Sequence, residues 1–352
     1  MTGVSARWNG IACALGAAVL FGASTPIAKL MIGAIDPILL AGIMYLGAGL
    51  GLLIHNLAKF VMELPVAEAP LRRRDVPWLL AVVFFGGMLG PVLLMLGLSR
   101  TSASAASLLL NLEGIATMVI AWVVFRENVD RKLVAGALAI VAGALILAWT
   151  GTGFSLDTGG LMIAGACLAW GIDNNFTRKL SSADPTQVVM IKGIAAGAAN
   201  VAIAFTFGAP LPSGTSVTGA AIVGFFGIGV SLVLFMLGLR HLGTARTGAY
   251  FSLAPFIGAM IAIAAIGEPL SFQFAAAAVF MGFGLWLHLA ERHDHEHTHE
   301  ELEHEHAHVH DEHHRHDHKA EISEPHSHWH RHRPINHRHP HYPDLHHRHP
   351  HH

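Results

Sequence analysis

The chain has 352 residues, of which 53% are apolar and only 13% charged, with a mean hydropathy of +0.48. A soluble domain carries about 25% charged residues, so a water-coated globule is excluded for most of the chain. The formal net charge of -2 points to neither nucleic acid nor an anionic surface as partner, and the two cysteines, Cys13 and Cys167, lie in apolar runs that offer no disulfide framework.

A spanning helix needs roughly 20 predominantly apolar residues. Hydropathy windows predict ten spans in chain order: 9–31, 37–56, 77–98, 103–125, 133–150, 159–177, 187–207, 217–239, 247–266 and 272–290. Turn signals separate them, among them "IDPILL", "VAEAPLRRRDVP", "TGTGFSLDTGG", "SSADPTQ" and "FGAPLPSGTS". The Lys/Arg bias orients them. With the N-terminus in the cytoplasm, the inside segments carry Arg7, Lys59, Arg72, Arg73, Arg74, Arg126, Arg131, Lys132, Arg178, Lys179, Arg240 and Arg246, whereas the outside ones carry Lys29 and Arg100. The expectation is a multi-pass protein of the cell (inner or plasma) membrane with both termini cytoplasmic.

The two halves repeat. Glu127 in "FRENVDRKLVAGALAIVAGALIL" matches Glu268 in "IGEPLSFQFAAAAVFMGFGLWL" at an offset of 141, and at the same offset "GLSRTSAS" (97–104) falls on "GLRHLGTA" (238–245). "FGASTPIAK" (21–29) resembles "WGIDNNFTR" (170–178), and each is followed by Asp-Pro. A unit of five helices used twice must enter the membrane from opposite sides, because five is odd. Inverted repeats of this kind are common in secondary transporters, with the substrate site near the midplane between the halves. The domains expected are 9–150 and 159–290, followed by the tail at 291–352.

These marks resemble the drug/metabolite transporter superfamily, in its EamA branch. The stretch "GTARTGAYFSLAPFIGAMIAIAAIGEPLS" (243–271) is similar to that family's ninth helix, with a small-residue entry, a mid-helix proline (Pro255) and an acid at the exit. The resemblance covers 9–290 and implies an all-α integral membrane fold of ten helices in two inverted five-helix repeats. It implies transport; members include exporters of amino acids, drugs and other metabolites, so the cargo stays open. One departure is that Pro255 has Gly114 as its repeat mate, beside Glu113.

A carboxylate at the centre of a span costs about 2.5–3.5 kcal/mol on insertion scales, and stays only if paired, protonated or facing water. Glu113, with Asn111 nearby, is therefore the leading candidate to bind substrate or a coupling proton; a permanently neutral structural acid is the plainer reading. Asp173, Asn174 and Asn175 cluster near the end of the sixth span, and Lys192 falls at a similar depth in the seventh. They are expected either to form a buried ion pair or to work as a charge-relay gate. Ser24 and Thr25, with Pro26, are expected to break the first helix near its outer end, where their hydroxyls line a cavity or satisfy backbone. Glu127 and Glu268 are expected to be structural caps, each near the N-terminus of the helix that follows it. No phosphate-binding loop or other enzyme motif is present, and no cofactor is expected to be required.

Of 27 histidines, 24 fall in the last 60 residues. That segment has few aliphatics and several prolines, so it cannot bury a core and is expected to be disordered. Imidazole suits Zn, Ni, Co and Cu. The candidate metal ligands are His293, His295, His297, His299, His304, His306, His308, His310, His313, His314, His316 and His318. A pH-sensitive solvated tail is the plainer reading.

The leading function is therefore a secondary transporter, an exporter of a small organic metabolite or drug, coupled to protons or exchange through Glu113 and carrying a metal-binding cytoplasmic tail. The alternatives are a Ni/Co/Zn/Cu exporter fed by that tail, and a membrane protein that buffers or senses metal. The partners expected are membrane lipid, a small-molecule substrate and a divalent metal at the tail, with a homodimer left open.

Overall fold

The computed structural model describes residues 2–62, 71–125, 131–149, 158–180, 183–242 and 244–289, and four short stretches of the tail. The membrane body is all-α. Its helices are α1 (Thr2–Met31), α2 (Pro37–Val61), α3 (Val76–Val82), α4 (Gly90–Leu98), α5 (Ala103–Leu109), α6 (Leu112–Phe125) and α7 (Arg131–Leu147) in the first half. The second half has α8 (Thr158–Thr177), α9 (Pro185–Thr206), α10 (Gly214–Gly224), α11 (Ser231–Leu242), α12 (Thr244–Phe251), α13 (Ala254–Ile261) and α14 (Phe272–Leu289). Single π-helical turns join α3 to α4 (Val83–Leu89) and α10 to α11 (Phe225–Val230), and a third (Ala262–Ile266) extends α13.

Among the described residues six helical stretches are long and apolar enough to cross a membrane: Trp8–Met31, Pro37–Val61, Arg73–Leu98, Ala103–Val124, Pro185–Thr206 and Gly214–Gly238. Ala254–Ile266 and Phe272–His288 are apolar but shorter. Capping accounts for several starts. Asp36 accepts from the amides of Ile38 and Leu39 with Pro37 opening α2, and Asp184 accepts from Thr186 N with Pro185 opening α9.

The halves interleave. α2 packs on α9, α7 on α14, α1 on α11 and α13, and α8 on α4 and α6. Small residues make this possible, since lipid supplies little drive for helix association and close backbone approach must supply contact. A Cβ added at Gly49 would lie 2.5 Å from Ile194 N, and one at Gly193 2.7 Å from Gly49 N. Gly42 and Gly197 repeat this about two turns away on α2 and one turn away on α9. Apolar side chains such as Phe60, Phe207, Phe272 and Val279 cover the outside of the bundle, as a lipid-facing surface requires.

One expectation needs correction. Pro26 does not break the first helix: α1 runs through it to Met31. The proline forgoes the bond to Gly22 O, and at Gly22 the backbone of Ala254 approaches too closely for a Cβ. The described residues of the tail form β1 (Asp294–Thr298), β2 (Leu302–His308), β3 (His326–His332) and β4 (Asn336–Pro340), paired antiparallel as β1 with β4 and β2 with β3. His-x-His alternation has the period of an extended strand, and the register sets His304 opposite His330 and His306 opposite His328.

Candidate functional site

Helices break at related places in the two halves. The expected 103–125 breaks at Leu110–Asn111, between α5 and α6, and the expected 247–266 at Ser252–Leu253, between α12 and α13. Asn111 and Ser252 are 141 positions apart, the repeat offset. Paired discontinuous helices point to the binding region of a transporter.

Glu113 sits in the first turn of α6, just past the break. Its Oε1 accepts a hydrogen bond from Asn174 Nδ2 at 2.9 Å, and the same amide donates to Thr117 Oγ1 at 3.2 Å. The adjacent residue, Asp173, is ion-paired with Lys192, whose Nζ lies 2.6 Å from Oδ2. Consecutive residues of α8 thus link the acid on α6 to the ammonium on α9. Both side chains of the ion pair are under a tenth exposed, at 9% for Lys192 and 7% for Asp173. Such a pair holds together because removing either partner strands a buried charge.

The ion pair rests on the π-helical turn before α4. Gly86 leaves room for the Asp173 carboxylate, which a Cβ there would strike, and Gly87 lies against Ala196 and Lys192. Gly86 O accepts from Tyr45 Oη at 2.7 Å and from Trp170 Nε1 at 3.1 Å, while Gly87 O accepts from Asn200 Nδ2 at 3.1 Å. A π turn disturbs the regular backbone ladder, and such turns frequently mark functional positions; here side chains from α2, α8 and α9 bind its carbonyls. Tyr45, Trp170, Thr117 and Asn200 did not stand out in the sequence. The available signal was a polar atom on each at membrane depth, together with the Gly-Gly pair they surround.

The second half carries the same scaffold with different chemistry. Phe225, Phe226 and Gly227 match Phe84, Phe85 and Gly86 at the repeat offset, again in a π turn. A Cβ at Gly227 would come within 2.5 Å of Ser24 Cβ. Ser24 therefore takes the place opposite this turn that Asp173 takes opposite the first. Its Oγ donates to Phe21 O at 2.6 Å, so here the hydroxyl satisfies its own helix. Thr25 is buried beside it.

Other expected residues fall elsewhere. Asn111 does not join Glu113: its Nδ2 donates to Leu108 O at 2.8 Å. Glu268 is a cap, but of a helix in the other half: Oε1 accepts from Ala103 N at 2.7 Å and Oε2 from Ser104 N at 2.8 Å, at the start of α5. Burial works against its charge, but the bonds from Ser104 and Ala103 and the nearby Lys29 ammonium outweigh it, holding the carboxyl below the usual range. Glu127 lies outside the described residues, as do His293, His299, His310, His313, His314, His316 and His318. His295 and His297 lie in β1, and His304, His306 and His308 in β2. Among the described residues no three His, Cys, Asp or Glu side chains converge as metal ligands would.

Known proteins place this architecture. The chain is 26% identical over 285 residues to an uncharacterized transporter of Methanothermobacter thermautotrophicus, covering 75% of this chain and 81% of the relative. It is 22% identical over 280 residues to the uncharacterized transporter YyaM of Bacillus subtilis, covering 75% and 88%. A solved crystal structure shares the fold with a TM-score of 0.59 at 20% identity, over 80% of this chain and 95% of that one. The description of the EamA-like transporter family matches twice, over residues 8–149 and 157–290. With both halves matched, the chain belongs to the EamA-like transporter family.

Proposed function

We propose that this membrane transporter is a secondary exporter of a small organic metabolite or drug, coupled to protons or exchange through Glu113. One observation carries the reading: of the two acids joined through Asp173–Asn174, the buried Asp173 is paired with a cation, whereas the half-buried Glu113 has, among the described residues, a neutral amide as its carboxylate's hydrogen-bond partner. A carboxylate in this setting is neutralised by a proton or by a cationic group of the cargo. Exchanging one for the other is the elementary step of coupled transport. Asn174 positions the carboxyl and suits either state, since its carbonyl oxygen accepts what its amide cannot. Asp173 and Lys192 hold α8, α9 and the π turn in register beside it, and can relay a charge change at Glu113 to that turn. The cytoplasmic tail, on this reading, captures Zn, Ni, Co or Cu near the inner mouth, as a dense histidine tract can. Export of the metal itself is the second reading, and it rests on the tail alone.

The test is a panel of metabolites and of radiolabelled metals in proteoliposomes of the full chain, of Glu113→Gln and of a chain ending before His293. An organic substrate whose flux vanishes in Glu113→Gln and survives tail removal supports the first reading. Metal flux that persists without the tail but vanishes in Glu113→Gln overturns it.

A further inference from the structure

The turn between α4 and α5 is held from both sides by charged groups. Lys29, near the end of α1, donates through Nζ to Leu98 O, the last carbonyl of α4, at 2.6 Å and to Thr101 O, in the turn before α5, at 2.9 Å. Glu268, in the turn before α14, binds the two amides that open α5. A cation on a helix C-terminus and an anion on a helix N-terminus each complement the backbone dipole. The first tie is within one half of the molecule and the second joins the halves. A third tie runs from Arg100 Nη1 to Thr158 Oγ1 at 3.0 Å, again between halves. At the opposite end of the bundle Leu71 N donates to Gln187 Oε1, and His288 Nε2 meets Leu133 O, each at 2.9 Å and each between halves.

The clamped turn leads to the site. α5 has seven residues, about 10 Å, and at its far end come the helix break, Asn111 and then Glu113. Along the way α5 packs on α13, where a Cβ at Gly258 would lie 2.8 Å from Ser107 Oγ. A group that fixes the N-terminus of this short helix also limits where Glu113 can go. Opening the site at this end requires α1, the α4–α5 turn and the α13–α14 turn to separate, and these are the three segments that Lys29 and Glu268 join.

We propose that Lys29 and Glu268 form the outer gate of the transporter, a latch that must release for the Glu113 site to face the end of the bundle opposite the N-terminal entry of α1. This rests on the reading of the chain as an alternating carrier, and the experiment reads accessibility rather than flux so that the two can fail separately. Thr25 is 3% exposed and lies one turn before Lys29 on α1. In the full chain with Cys13→Ser and Cys167→Ala, a single Thr25→Cys is labelled with a membrane-impermeant maleimide applied from either face of the membrane. Lys29→Met and Glu268→Ala, each removing charge-assisted bonds, are expected to raise the rate from the outer face at least about fivefold, while Lys29→Arg leaves it near the parent. Rates within about twofold of the parent in both variants overturn the latch. So does an equal rise in labelling by a permeant maleimide of Ala48→Cys, fully buried on α2, because that means general loosening. Acceleration from the inner face alone also overturns it.

Discussion

Removing Lys192 alone is the most discriminating perturbation of the buried network. In Lys192→Met the methionine keeps most of the apolar stem but leaves Asp173 without its cation in a setting where the carboxylate is 7% exposed. The remaining polar neighbour is Thr177, whose Oγ1 is 3.4 Å from Oδ1. Breaking a buried pair from one side costs about 3–5 kcal/mol, and at this chain length each kcal/mol moves Tm by roughly 1–2 °C. Thermal unfolding of purified protein in detergent should therefore show a fall of roughly 5 °C for Lys192→Met. Asp173→Asn should fall comparably. The double variant removes both charges, so its loss should be smaller than the sum of the singles by about 2 kcal/mol. Single losses that add to within about 0.5 kcal/mol would refute the claim that these residues stabilise each other directly.

Three further outcomes follow from the same geometry. Gly49→Ala places a Cβ 2.5 Å from Ile194 N at the α2–α9 contact; it should cost about 1–3 kcal/mol by overpacking, read by the same unfolding assay. Glu268 has a depressed folded pKa, so its stabilising bonds are fully present above the ordinary carboxylate range and are lost as pH falls through the depressed value. Labelling of Thr25→Cys from the outer face, taken relative to a free thiol labelled at the same pH to cancel the loss of thiolate, should stay slow as external pH drops to the ordinary range and rise only below it; a rise beginning near neutral pH would contradict the assignment. Ending the chain before His293 should abolish Ni and Zn binding in equilibrium dialysis. Retained binding would place the metal ligands in the membrane body.

The span limits were legible because lipid imposes a simple rule of length and hydropathy. The expected 77–98 lies within the apolar stretch Arg73–Leu98, the expected 159–177 is helical over Thr158–Thr177, and Asp36 and Asp184 cap the helices that follow their Asp-Pro signals. Helix interruptions were legible less often. Pro26 looked like a break and is accommodated at Gly22, whereas the interruptions at Leu110–Asn111 and Ser252–Leu253 carry no proline at the break itself. The π turns at Val83–Leu89 and Phe225–Val230 had no periodic signature, because one extra residue in a helical turn barely disturbs an apolar run. The Asp173–Lys192 pair could be anticipated from equal depth along a hairpin. The partners of Glu113 and Glu268 could not, since Asn174 and the α5 amides lie 61 and more than 160 positions away. Only the interleaving of the halves brings them together.

The central claim is that Glu113 exchanges a proton with the cargo. Its most direct test is cargo-driven proton movement, followed with a pH-sensitive dye inside proteoliposomes of the full chain, using the organic substrate found in the metabolite panel. Substrate added to one side should move protons in the parent, and in Glu113→Gln the proton signal should fall at least about 100-fold while the variant keeps the parent's Tm. Undiminished proton movement in Glu113→Gln would contradict the account.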